Sequence, residues 1–158
     1  DRIRTARPQL ALSSDFIIGY PGESDKDFEA TLKLVREAKY ASAFSFKYSP
    51  RSGTPAAAAV KHVPEDVKAE LLGILQKLLL EQQRAFNNDC RGLTMPVLFE
   101  KPGRKPGQAI GRSPYLQAVH AENAHQLVGQ ICDVKIEGVF PNSLKGVLLD
   151  ARVREVAC

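Results

Sequence analysis

Cysteine is scarce in this chain. It occurs three times, at Cys90, Cys132 and Cys158. The three thiols are far apart and odd in number, so they outline neither a disulfide framework nor a CxxC metal pair. They read as reduced, structural thiols of a cytoplasmic protein. Long apolar runs are also missing: none approaches the ~18 residues that a membrane-spanning helix requires. The opening Asp1-Arg2-Ile3-Arg4 has no apolar segment behind it and does not read as a signal peptide. It also lacks a starting Met, so the chain reads as part of something longer. There is no Ser-His-Asp arrangement, P-loop or zinc-ligand spacing. Low-complexity tracts and solenoid-period repeats are absent too. Positive charge is in only slight excess, 22 Lys and Arg against 18 Asp and Glu, net +4. That balance is compatible with nucleic-acid binding but does not require it.

What is present is a globular composition, 44% apolar and 25% charged over 158 residues, enough for one ordinary domain or two small ones. Residues 16–20 form an apolar run without alternation, the pattern of a parallel-sheet strand buried on both faces. Pro21-Gly22 turns the chain. Ser24 with Asp27 three residues on makes a capping-box pattern, and Phe28, Leu32, Val35 and Ala38 share one face of the helix that follows. Residues 43–49 read as a second strand with Phe44, Phe46 and Tyr48 in alternation. Together these make a βαβ unit. The loop Pro50-Arg51-Ser52-Gly53-Thr54-Pro55 then lies at the C-terminal end of a parallel strand, the end at which α/β folds bind ligands.

Pro64 opens a long helix with Glu65 and Asp66 in its first turn. Val67, Leu71, Ile74, Leu75 and Leu78 give it an apolar face, and it ends by Gly92. It reads as a strut linking two domains. Beyond Gly92 the texture changes to short runs separated by glycine and proline turns, at 95–100, 108–111, 116–121, 129–139 and 146–149. These predict an antiparallel β-barrel of the small OB-like kind. The expected fold is thus α/β plus all-β, with domains at 1–91 and 92–158.

Three segments carry a family resemblance. Ser13-Ser14-Asp15-Phe16-Ile17-Ile18-Gly19-Tyr20-Pro21-Gly22-Glu23 resembles the fifth-strand motif of the methylthiotransferase branch of radical-SAM enzymes. Phe46-Lys47-Tyr48-Ser49-Pro50-Arg51-Ser52-Gly53-Thr54-Pro55-Ala56 resembles the sixth-strand motif of the same branch. Residues 93–150 resemble a TRAM domain, an RNA-binding β-barrel. Within it, Gly111-Arg112-Ser113-Pro114-Tyr115-Leu116-Gln117-Ala118-Val119-His120 is more similar to the tRNA-modifying members than to those acting on a ribosomal protein.

The resemblance implies the C-terminal portion of such an enzyme: the end of a radical-SAM partial TIM barrel, a linking helix, and a TRAM barrel. The whole enzyme would add a methylthio group to C2 of N6-isopentenyladenosine next to the anticodon. It would use S-adenosylmethionine and two [4Fe-4S] clusters, act in the cytoplasm as a monomer, touch no membrane, and hold a tRNA anticodon stem-loop. The family binds its clusters through a CxxxCxxC motif and three further cysteines, none of which this chain contains, so the piece alone is expected to be inactive. A non-catalytic RNA-binding protein on a degenerate barrel, or a ribosomal-protein methylthiotransferase, stands as the alternative.

By the same resemblance Ile17, Gly19, Gly22, Tyr48, Ser49 and Arg51 would border the S-adenosylmethionine pocket; the residues alone allow a buried strand, a tight turn and a capping loop. Glu23 would contact substrate or favour the following helix N-terminus. In the β-domain, Lys101, Arg104, Lys105 and Arg112 would meet phosphate, and Tyr115 and His120 would offer stacking surfaces. The plain alternative is a solvated basic face, since residues 92–158 hold eight Lys and Arg against six Asp and Glu. Asn142, Ser143 and Lys145 read as a loop that touches RNA or as an ordinary turn.

Overall fold

The structure is a computed structural model describing residues 2–153. The chain divides into two compact units between Gln83 and Arg84. The first holds helix α1 (Arg2–Ala6), strand β1 (Ser13–Ile18), helix α2 (Asp25–Ala38), strand β2 (Ser42–Lys47) and most of helix α3 (Glu65–Asp89). β1 and β2 pair in parallel from Ser13↔Ser42 to Ile18↔Lys47, as a βαβ unit requires. Phe16 and Ile18 point to one side and are buried with Phe28, Leu32 and Val35 of α2 and Leu75 and Leu79 of α3. The other side is open, with Ile17 59%, Phe44 67% and Phe46 54% exposed. The expectation that β1 is buried on both faces is corrected here, because both helices pack on the side of Phe16 and Ile18.

α2 begins as its sequence dictates. The Asp27 amide donates to the Ser24 hydroxyl at 3.3 Å, and the Ser24 amide donates to the Asp27 carboxylate at 3.0 Å, so two otherwise orphaned donors are satisfied reciprocally. It ends at Lys39, which takes a left-handed conformation and returns its amide to the Val35 carbonyl. Gln82 fastens α3 there, donating to the Val35 carbonyl at 2.8 Å and accepting from the Tyr40 amide at 3.0 Å. The short α1 carries no sequence signal that would have announced it.

The second unit takes the last residues of α3 and five strands: β3 (Thr94–Pro102), β4 (Ala109–Arg112), β5 (Ala118–Ala121), β6 (Ile131–Phe140) and β7 (Ser143–Val153). They close into a barrel in the order β3-β4-β5-β7-β6. Every neighbouring pair is antiparallel except β5–β7, which is parallel. The fully antiparallel barrel expected from sequence is therefore corrected: strand direction cannot alternate all the way round a closed ring of five. Met95, Val97, Phe99, Val119, Val134, Ile136 and Leu144 fill the interior. Space inside is so tight that a side chain on Gly146 would run into Val134, and one on Gly111 into the Leu98 carbonyl. Residues 84–91 go with the barrel because their side chains are spent on it: Phe86 packs against Tyr115, and Asn87 accepts from the Gln117 amide group at 2.6 Å.

Candidate nucleic-acid interface

One row of residues runs in register across all five barrel strands. Lys101 of β3 faces Ile110 of β4, Ile110 faces His120 of β5, His120 faces Lys145 of β7, and Lys145 faces Gly138 of β6. The flanking Ala109, Gly111, Val119, Ala121, Leu144 and Gly146 are all buried, so the alternation of strand side chains places this row on the outside. Phe140, two residues beyond Gly138, is 48% exposed, and its ring centroid lies 5.4 Å from that of His120. A Cβ at Gly138 would stand 3.6 Å from the Phe140 ring and 3.3 Å from the Lys145 Cβ; the bare glycine makes room for the ring beside the lysine. Burial holds the His120 imidazole below its ordinary value, the Lys145 cation adds to this and Lys105 adds a little, while Glu122 opposes. His120 is therefore an uncharged ring at neutral pH.

Lys105 and Arg104 sit at the tip of the β3–β4 hairpin. Buried Gln108 ties that tip down: its amide donates to the Lys105 carbonyl at 3.1 Å, its carbonyl accepts from Gly103 at 2.7 Å, and its side-chain oxygen accepts from the Arg104 amide at 3.2 Å. Both basic side chains are left exposed. Lys101, Lys105 and Lys145 form no ion pair among the described residues.

Arg112 and Tyr115 are placed differently. Arg112 lies one row away, 3.5 Å from the Glu100 carboxylate, and donates to the Leu116 carbonyl at 3.0 Å; its charge is partly occupied in holding the 113–117 turn. Tyr115, expected as a stacking surface, is half-buried against Phe86, ring centroids 5.2 Å apart and nearly perpendicular. Its ring is part of the barrel's packing. Lys145, read from sequence as a loop residue with Asn142 and Ser143, belongs to a strand, as does Ser143. Phe140 was missed altogether; the glycine two residues before it, inside a strand pattern, was the available signal.

The strand ends of the first unit form a second cluster. The Tyr48 amide donates to the Ile18 carbonyl at 2.7 Å, extending the pairing by one step. The Tyr48 ring stands edge-on to Tyr20, centroids 5.3 Å apart, and is stacked at 6.4 Å on His62. Its hydroxyl is buried and has no hydrogen-bond partner among the described residues. Lys68 of α3 is buried, with its amine 3.4 Å from the Tyr48 carbonyl, 3.6 Å from the Glu65 carboxylate and 5.7 Å from the centre of the Tyr48 ring. Lys47 also donates to Glu65, and that hydrogen bond is the largest cause holding the Glu65 carboxyl below its usual range. Gly19 has φ +77°, and a side chain there would strike the Lys68 stem, so the room at Gly19 is taken by this lysine. Glu23 accepts from the Gly19 amide and so closes the turn. Gly22, with φ +88°, has open space around its Cα, and Ile17, Ser49 and Arg51 are exposed. The Arg51 carbonyl accepts from the Thr54 hydroxyl at 2.8 Å.

Cys90 and Cys132 are buried in the barrel core, where burial pushes both thiols up; Cys158 lies outside the described residues. Among the described residues no three His, Cys, Asp or Glu side chains gather as a metal site, and no helix is long and apolar enough to cross a membrane.

Residues 89–149 match the TRAM domain family. The tRNA-2-methylthio-N(6)-dimethylallyladenosine synthase of Maricaulis maris (strain MCS10) is 57% identical over 152 residues, covering 96% of this chain and 33% of that protein. The protein of the same name from Rickettsia canadensis (strain McKiel) is 54% identical over 147 residues, covering 92% of this chain and 33% of its own length. The chain thus spans about a third of the length of the curated relatives it matches. Over nearly its whole length the chain is similar to a third of each of these two synthases, and its C-terminal barrel is the part that matches the TRAM domain family.

Proposed function

We propose that this chain is the C-terminal part of a radical-SAM tRNA methylthiotransferase that acts in the cytoplasm on N6-isopentenyladenosine beside the anticodon. The observation that carries the reading is 57% identity to a tRNA-2-methylthio-N(6)-dimethylallyladenosine synthase over 96% of the chain. In this reading β1, α2 and β2 close one side of a partial TIM barrel, and the exposed Ile17, Phe44 and Phe46 face the rest of it. The five-stranded barrel holds the anticodon stem-loop through Lys101, Arg104, Lys105 and His120, with Arg112 contributing from the next row.

The strand ends suit S-adenosylmethionine. Tyr48 has a buried hydroxyl without a partner among the described residues, Ile17 offers apolar surface, and Gly22, Ser49 and Arg51 border the same edge. When bound, S-adenosylmethionine supplies the methyl group and the radical. Lys68 holds the Tyr48 carbonyl and fills the space above Gly19, so its part is to fix the edge of the pocket. An iron–sulfur cluster does not fit the described residues: it needs several accessible thiolates close together, whereas Cys90 and Cys132 are enclosed in the barrel core. The cluster ligands of the whole enzyme therefore belong to other parts of it.

The test is to express the whole protein containing this chain in cells unable to make the modification and to analyse their tRNA nucleosides by mass spectrometry. Appearance of 2-methylthio-N6-isopentenyladenosine is expected. Persistence of N6-isopentenyladenosine alone, with the protein present and its clusters loaded, would support a non-catalytic RNA-binding role instead.

A further inference from the structure

Two β-bulges decide what the outer row contains. On β3, Phe99 pairs with Gly111 but Lys101 pairs with Ile110, so Glu100 is an extra residue. On β6, Ile136 pairs with Gly146 but Gly138 pairs with Lys145, so Glu137 is extra. Each insertion inverts the in-out alternation of the rest of its strand. Met95, Val97 and Phe99 point inward, and unbroken alternation would send Lys101 in after them. Val134 and Ile136 point inward, and unbroken alternation would likewise bury Phe140. The bulges turn both residues out, a lysine at one end of the row and a ring flanking Gly138 at the other. Phe140 is 48% exposed and its ring stands against that of His120, whose in-register neighbour Lys145 forms no ion pair among the described residues.

We infer that Phe140 and His120 form a stacking site for one unpaired RNA base, with Lys145 and Lys105 taking the phosphates on either side of it. The inference rests on the reading of this barrel as an RNA-binding domain. A neutral ring pair with cations at its margin matches the flat, apolar face of a base joined to an anionic backbone. A paired base inside a duplex cannot present that face, so the site selects a loop over a stem. The stacking position accordingly moves from Tyr115, whose ring is engaged with Phe86, to Phe140.

The test uses the full chain with a fluorescein-labelled anticodon stem-loop and a fully paired RNA duplex of the same length, read by fluorescence anisotropy. The stem-loop should bind more tightly than the duplex. Phe140→Leu, which keeps apolar bulk but loses the ring, should weaken stem-loop binding roughly tenfold with no change in its salt dependence, since stacking releases no counterions. Phe140→Tyr should restore it. Thermal melts report whether each variant is folded. Independently of any variant, a stem-loop carrying 4-thiouridine in its loop, irradiated on the wild-type chain, should cross-link at Phe140 or His120 by peptide mass spectrometry. Wild-type affinity in a folded Phe140→Leu, or cross-links confined to other surfaces, would overturn the stacking site while leaving RNA binding intact. A wild-type chain that binds no stem-loop even at low salt would overturn both.

Discussion

Gly19 shows how a residue can be legible while the use made of it is not. Glycine at a strand end signalled either a tight turn or room for a ligand; the structure uses the freedom for both a left-handed backbone and the stem of Lys68, a lysine with no sequence mark of burial. Gly19→Ala should therefore destabilise the first unit by about 1–2 kcal/mol from backbone strain alone, and more once Lys68 is displaced; urea unfolding measures it. Cys90 and Cys132 read as structural, and their burial gives that a chemical consequence. Since the thiolate is the reactive form, Cys90 and Cys132 should resist iodoacetamide at pH 8 in the folded chain and react fully in guanidinium, as followed by peptide mass spectrometry. Rapid native labelling of either would contradict its placement. His120 has a folded-state value lowered chiefly by burial, so the unfolded chain binds its proton more readily. The barrel is at full strength above about pH 6.5 and loses stability as pH falls from there through the folded value. A thermal-melt series from pH 7.5 to 5.5 should show that loss, and His120→Gln should flatten it.

Elements whose signals are local were legible. The capping box of α2 lies within four residues and folds as read, so Ser24→Ala should cost about 1 kcal/mol, visible as faster amide exchange in the first turn of α2. β1 and β2 were recognised from composition, but their one-sided burial was not, since an apolar run does not say how many layers cover it. The barrel strands were found from their spacing, whereas the bulges were not: a one-residue insertion leaves apolar and polar residues looking merely irregular, and only the partner strand reveals which residue is extra. Charge is thus the only mark that Lys101 carries in the sequence, and Phe140 carries none. It is also why Tyr115, attractive as an aromatic in a turn, proved to be packed against Phe86, a residue of the preceding helix that no local pattern connects to it.

At the scale of the molecule the chain is two compact units with separate cores, one α/β and one a closed five-stranded ring. The parallel closure of β5 on β7 follows from the odd strand count. Because the thiols of the described residues are enclosed, reconstitution of this chain with iron and sulfide should yield no stoichiometric iron–sulfur absorption; a cluster held by Cys90 or Cys132 would mean that the barrel core opens. The chain should still bind RNA through the outer row of the barrel, and the most direct measurement is the salt dependence of its affinity for an anticodon stem-loop. Three or four phosphate contacts by Lys101, Lys105, Lys145 and their neighbours should give a log–log slope of roughly −2 to −3, shallower by about 0.7 when Lys105 is replaced by Gln. Absence of saturable binding at low salt, or a slope indifferent to the loss of Lys101, Lys105 and Lys145 together, would contradict the assignment of this surface.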